Sequence, residues 1–158
     1  MKKILILLFA IILLCSCNKK DEAKNIDDLI SYDVQDYFEK GEDNDYVKSY
    51  YSTKDSSYFE VKIFSYKNKE VINKTDDYSL DENDYIGSLT DLVQMEISKE
   101  TFSIGYRGNE ESDSKSLVSY VRHKNYVFEF YMNNSESTLT DEQYNDFLVM
   151  LQSVKFKY

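Results

Sequence analysis

The chain opens on an unbroken apolar run, Ile4 through Leu14, behind Met1, Lys2 and Lys3. A polar stretch follows, residues 18–25 (NKKDEAKN). From there Ile26, Leu29, Ile30, Val34, Tyr37 and Phe38 recur at spacings of three and four, which predicts an amphipathic helix over Asn25 to Lys40. Gly41 to Asp45 (GEDND) reads as a turn. Phe59, Val61 and Ile63 alternate with Glu60 and Lys62, the signature of a half-buried strand over Tyr58 to Tyr66. Tyr46 to Thr53 is rich in β-prone residues and pairs with it as a hairpin across the turn at Lys54 to Ser57. Lys67 to Asp84 is polar and acid-rich and reads as a long connection, broken by a short strand at Glu70 to Asn73. Ile86, Leu89, Leu92, Val93 and Ile97 predict a second helix, with Asp84 or Ser88 as its cap. A strand at Thr101 to Tyr106 and a loop at Gly108 to Ser114 come next. A hairpin of Leu117 to Arg122 with Tyr126 to Met132 then turns at His123-Lys124-Asn125. The C-terminal pattern has the most features. Thr140 and Gln143 have the spacing of a capping box, and Leu139 and Tyr144 that of a hydrophobic staple. Tyr144, Phe147, Leu148 and Leu151 fall on one helical face that should be core. Val154 and Phe156 alternate in a last strand after Ser153.

Paired strands with helices between them predict the α+β class: an antiparallel sheet flanked by helices, in one domain over residues 26–158. A hairpin followed by a capped helix ending in Phe147 to Phe156 (FLVMLQSVKF) resembles the C-terminal unit of PsbP/Mog1-like domains, over about the last 45 residues. Cystatin-like and other α+β sheets carry similar signals. The absence of proline departs from the usual PsbP-like pattern. The resemblance implies a sheet with flanking helices and a protein that binds partner proteins, small ligands or lipids; it implies no particular activity.

The leading run is eleven residues long. As a helix it would span about 16 Å against a bilayer core of ~30 Å, so it reads as a signal-peptide core and not as a membrane span. Leu14-Cys15-Ser16-Cys17 resembles a bacterial lipobox. That resemblance implies cleavage after Ser16, a diacylglyceryl thioether on Cys17 and an added N-acyl chain such as palmitate. Residues 1–16 are then the signal peptide and 17–25 a lipidated tether, which holds the domain at the cell envelope on the extracytoplasmic side. Two or three acyl chains suffice for stable anchoring. Cys17 is also the last cysteine, so neither a disulfide framework nor thiol chemistry is left for the domain.

Charge narrows the partners. The chain carries 29 acidic and 19 basic side chains; loss of Lys2 and Lys3 with the leader leaves 17 basic, a net charge of −12. Such a body opposes nucleic-acid binding, which draws on lysine and arginine neutralising phosphates. Arg107 and Arg122 are the only arginines. The single histidine, His123, sits in a predicted turn and reads as a solvated residue, since no GxSxG elbow presents a serine to it. One histidine and no spare thiolate cannot build the usual zinc set. Asp76, Asp77, Asp81, Glu82 and Asp84 crowd an acidic segment that calcium could use, but the EF-hand order fails because, counted from Asp81, Tyr85 stands at a ligand position and no glycine follows at the sixth place. It reads as a solvated loop. Neither a metal site, nor a cofactor site, nor a catalytic set is expected.

Tyrosine is over-represented, with 15 residues. Tyr50, Tyr51, Tyr58, Tyr66, Tyr106, Tyr120, Tyr126 and Tyr131 fall in predicted strands. Tyrosine builds half-wet sheet faces, and an exposed cluster of it also makes a recognition patch. Tryptophan, the usual sugar platform, is absent, which favours a protein partner. The expectation is a non-enzymatic binding module, with a carrier or sensor of a small apolar ligand or lipid as the alternative.

Overall fold

The computed structural model describes residues 25–73, 78–108 and 115–157. The leader, the lipobox with Cys17, Asp76 and Asp77 of the acidic segment and most of the Gly108 to Ser114 loop lie outside them.

The core of the architecture is an antiparallel sheet built from β2 (Phe38–Asp43), β3 (Val47–Ser52), β4 (Ser57–Lys67), β7 (Thr90–Ile97), β8 (Glu100–Gly108), β9 (Lys115–His123) and β10 (Tyr126–Asn134), in the spatial order β2-β3-β4-β10-β9-β8-β7. β4 is the long central strand. One of its edges is taken by β10, the other by β3 over Tyr58 to Lys62 and by β5 (Glu70–Asn73) over Ser65 to Lys67. β6 (Tyr78–Asp81) pairs with β5 and leads into the short helix α2 (Glu82–Gly87). A four-residue helix α1 (Ile26–Leu29) precedes β1 (Ile30–Ser31), which pairs with β11 (Lys155–Phe156) after the long helix α3 (Asp141–Ser153). The class is α+β, as the pattern predicts.

The two sheet faces have different chemistry because the strands alternate. Toward α3 point Phe59, Val61, Ile63, Phe102, Phe128, Phe130 and Met132, all buried with Phe147, Met150 and Leu151 of the helix. Phe59 meets Phe147 with ring centroids 6.2 Å apart, and Phe102 meets Phe130 at 6.0 Å. Each buried phenylalanine is worth about 1.5–3 kcal/mol, so this layer carries the stability. The space between helix and sheet is filled by these rings.

α3 begins as its sequence dictates. Gln143 N donates to Thr140 Oγ1 at 3.2 Å and Thr140 N donates to Gln143 Oε1 at 2.9 Å, a reciprocal capping box. Gln143 Nε2 also donates to Asp55 Oδ2 at 2.9 Å, pinning the helix to the β3–β4 turn. Leu139 and Tyr144 both pack on the core as half-buried residues. Leu148 is half-buried too, at the rim of the face, and Met150 takes the deep position with Phe147 and Leu151.

Several predicted elements come out differently. The helix expected over 25–40 is only α1, capped by Asn25 Oδ1 accepting from Asp28 N at 2.8 Å. The rest of that segment is β1, an irregular stretch with a turn at residues 36–37, and the start of β2; Gln35 Nε2 donates to the Asp146 carbonyl at 2.9 Å, and Tyr37 donates from its hydroxyl to Asp146. Its apolar residues mimic helical spacing because they pack against α3 and the sheet one at a time. The helix expected over Ile86 to Ile97 is a turn and a half of α2 and then β7; Asp81, not Asp84 or Ser88, is the cap, accepting from Asn83 N at 2.9 Å. Within the connection expected over Lys67 to Asp84 the short strand at Glu70–Asn73 is found as β5, and β6 at Tyr78–Asp81 is added to it. Gly41 to Asp43 belong to β2, and the chain turns at residues 44–46.

Candidate interaction surface

The sheet face away from α3 is divided into a covered and an open part. β5, β6 and α2 lie over the β4–β5 end. There Phe64, Val71, Tyr85, Tyr120 and Val127 form a second, smaller core. At its edge sits Glu129, an acid from the middle of the aromatic strand β10, 4% exposed. Tyr85 donates its phenolic hydrogen to Glu129, and Arg107 Nη2 lies 3.0 Å from the same carboxylate oxygen. Burial pushes the Glu129 carboxyl up to about 7, with Lys62 opposing that shift and Glu60 adding to it. Glu82, at the start of α2, accepts from Tyr120 (2.9 Å) and Tyr66 (2.6 Å) and pairs with Arg122 at 3.4 Å. These two carboxylates are the struts that fix α2 on the sheet. A pocket of about 360 Å³ opens beside Glu129, with Lys62, Asp84 and Arg107 on its polar side and Phe64 and Leu80 on the other.

The open part of the face lies at the other end of β4. Tyr51 of β3, Tyr58 of β4 and Tyr131 of β10 come from three adjacent strands and their rings meet, Tyr51 tilted against Tyr58 and Tyr58 edge to face with Tyr131. The Tyr51 and Tyr58 rings are 5.1 Å apart at 52°, and those of Tyr58 and Tyr131 are 6.3 Å apart at 68°. Tyr51 is 55% exposed; the other two are half-buried. Gly41 of β2 permits the Tyr51 position, since a Cβ there would collide with the ring. The hydroxyls of Tyr58 and Tyr131 are held by neighbouring side chains. Ser116 Oγ and Tyr131 Oη are 2.8 Å apart, Asn133 Nδ2 donates to Tyr131 Oη at 2.9 Å, and Tyr58 donates to Glu60. Burial and that hydrogen bond raise the Tyr58 pKa above the ordinary phenol value. The Asn133 Oδ1 atom is buried and has no hydrogen-bond partner among the described residues. A shallow concavity of about 410 Å³ adjoins the rings, floored by Asp55, Ser57 and Asn133.

All eight tyrosines expected in strands lie in strands, but the structure sorts them. Tyr51, Tyr58 and Tyr131 form the open cluster. Tyr50 packs on the core, its hydroxyl 3.0 Å from that of Tyr32. Tyr66 and Tyr120 serve Glu82, and Tyr106 and Tyr126 pack against the core from the rim. His123 is not a solvated turn residue. The register pairs it with Tyr126 as the last pair of the hairpin, and the turn is Lys124-Asn125 alone. Its ring is 3% exposed, stacks on Phe156 at 4.5 Å and bonds Glu100 Oε1 through Nδ1 at 2.6 Å. Of the acidic segment, Asp81 caps α2 and Glu82 binds the sheet. Among the described residues no group of three or more His, Cys, Asp or Glu is placed to hold a metal ion. No described helix is long and apolar enough to cross a membrane.

No family model and no curated protein matches the chain. Solved structures match its shape. The solution structure of cyanobacterial PsbP from Synechocystis sp. PCC 6803 superposes with a TM-score of 0.56 at 11% identity, over 89% of this chain and 97% of that one. The fold is PsbP-like. A crystal structure from Bacteroides thetaiotaomicron VPI-5482 shares it, with a TM-score of 0.54 at 10% identity over 82% of this chain; the match spans 45% of that longer protein. At such identities the PsbP-like likeness extends to the sheet and its helices and not to a ligand or activity.

Proposed function

We propose that this protein is a bacterial lipoprotein, held outside the cytoplasm by acyl chains on Cys17, whose PsbP-like domain is a non-enzymatic module that binds a protein partner through Tyr51, Tyr58 and Tyr131. The observation that carries the binding reading is the cluster itself. Three tyrosines converge on the uncovered part of a sheet, the hydroxyls of Tyr58 and Tyr131 held by neighbouring side chains and Tyr51 more than half exposed. Rigid aromatic side chains give contact area at little entropic cost, and such residues dominate binding energy in protein interfaces. The anchor reading is supported by the order basic start, short apolar run, Leu14-Cys15-Ser16-Cys17 and polar stretch.

Two measurements test it. Cys17→Ser should abolish acyl labelling and release the protein from membranes; labelling that persists would sink the anchor. A photoreactive side chain in place of Tyr51 should trap one discrete envelope protein, while the same group in place of the exposed Val149 on α3 traps none. Tyr58→Ala together with Tyr131→Ala should cut that yield at least tenfold. Equal trapping from both positions would rule out the tyrosine surface.

A further inference from the structure

The registers place three turns in line. Ser65 of β4 pairs with Tyr126, Tyr126 with His123, His123 bonds Glu100, and Glu100 pairs with Ile97. The β4–β5, β9–β10 and β7–β8 turns therefore all project from one end of the sheet. Each carries a lysine with a left-handed backbone: Lys69 (φ 68°), Lys124 (φ 55°) and Lys99 (φ 70°). Between the first two turns lies a cleft of about 1000 Å³ that adds Lys67 and Arg122, walled by Tyr66 and Tyr126. Arg122 is held there by its 2.9 Å bond to Tyr66 Oη and by stacking 4.8 Å over that ring. Acids stand at this end as well. Glu100 lines the cleft and bonds His123, Glu82 pairs with Arg122 and Asp27 with Lys48; Asp28, Asp45, Glu70 and Asp81 are exposed. The opposite end shows Asp55, Glu136, Asp141 and Glu142 beside Lys54 and Lys115. Lys67, Lys69, Lys99, Lys124 and Arg122 thus share one end of a chain of net charge −10.

That is also the end at which the chain enters the domain. Ile26 N donates to the Asp45 carbonyl at the β2–β3 turn, and Ile63 N donates to the neighbouring Tyr46 carbonyl. Eight peptide steps separate Cys17 from Asn25, a reach of at most about 29 Å. We propose that the lysine turns and the Lys67–Arg122 cleft form a docking surface for the phosphate groups of anionic phospholipids, so that the anchored domain stands with this end on the membrane. The proposal rests on the anchor reading above. Lysines near an anionic leaflet are attracted individually and without specific geometry, which suits turns at separate points of one plane. Tyr58 lies nine residues up β4 from Lys67, about 30 Å farther along the strand. The tyrosine cluster would then face away from the lipid, toward a partner.

The test uses the acylated full-length product in vesicles of phosphatidylcholine, alone or with about 30% phosphatidylglycerol. Amine acetylation is read at each lysine by peptide mass spectrometry. Lys69, Lys99 and Lys124 should react about fivefold more slowly on the anionic vesicles. Lys54 and Lys115, at the other end of the sheet, should be unchanged, and roughly 0.5 M salt should remove the difference. Lys69→Gln, Lys99→Gln and Lys124→Gln combined should abolish the protection of Lys67. Equal reactivity on both vesicles, or protection of Lys54 and Lys115 instead, overturns the proposal. Protection by millimolar inorganic phosphate on neutral vesicles also overturns it, by making the cleft a soluble-anion site. The N-terminal peptide in the same spectra separates the two readings. An unacylated Cys17 defeats the anchor and with it the docking surface, whereas an acylated Cys17 without protected lysines defeats the docking surface alone.

Discussion

Glu129 shows how one residue can couple the sheet to solution pH. Its carboxyl is buried, and its pKa of about 7 lies above the ordinary glutamate value of 4.5. The folded state thus holds a proton that the unfolded chain has released between roughly pH 4.5 and 7. The contribution is fully present below the unfolded pKa and is lost as pH rises through the folded one, and it amounts to about 3 kcal/mol. Urea unfolding of the wild type and of Glu129→Gln at pH 5 and pH 8 should differ in pH slope by about that amount, the variant being the flatter. Parallel slopes would place the proton elsewhere. A second residue-scale prediction concerns the turns. Asn68 and Lys69 both have positive φ, the requirement of a two-residue turn that favours Asn-Gly. Lys69→Gly should therefore stabilise by about 1 kcal/mol, because a left-handed backbone costs a side chain that much; a denaturant midpoint that falls would contradict this. Such features are only partly legible beforehand. Glu129 stands alone among aromatic neighbours in YVFEFYM, a visible oddity, but nothing local shows that Tyr85 and Arg107 would come to meet it.

Among elements, α3 was the most legible and α2 the least. The capping box of α3 is a contact between neighbours in sequence, so spacing suffices to find it. Thr140→Ala should cost about 1 kcal/mol. On the inner face Phe147→Ala should cost about 3–5 kcal/mol, since its ring is fully buried against Phe59, while the exposed Val149→Ala should change stability by less than about 0.5 kcal/mol. Chemical denaturation of the three variants checks the order, and a cheap Phe147→Ala would mean the face is misjudged. Residues 90–97 misled for a physical reason. An edge strand buries little, and β7 bulges at Asp91 (φ 52°), so its apolar residues fall at irregular intervals that imitate a helix. The segment after α1 misled likewise, because docking on α3 imposes no period of its own.

At the scale of the molecule, the two ends of the described chain are joined. β1 pairs with β11, Lys157 N donates to the Leu29 carbonyl at 2.8 Å, and Phe156 covers Phe102, Phe128 and His123. Removing residues 154–158 takes the buried Val154 and Phe156 from this joint and should cost about 3–6 kcal/mol, read as a lower midpoint of one cooperative transition. Survival of the full melting temperature would show the joint to be dispensable. The same joint sets where the chain enters the domain at Asn25, and under the proposed anchor on Cys17 this would orient the lysine turns and the tyrosine cluster relative to a membrane.

Local order determined a good part of this protein. Alternation marked the hairpins, spacing marked the α3 cap, and the succession of strands and helices marked an α+β sheet. Each is a statement about neighbours within a few positions, which is the range over which sequence pattern and structure correspond. The division of the tyrosines into core, strut and surface, the burial of Glu129 and His123, and the alignment of three lysine turns depended on strand order and register. Those are settled by which nonlocal packing buries the most apolar surface, and that sum runs over residues brought together only by the fold.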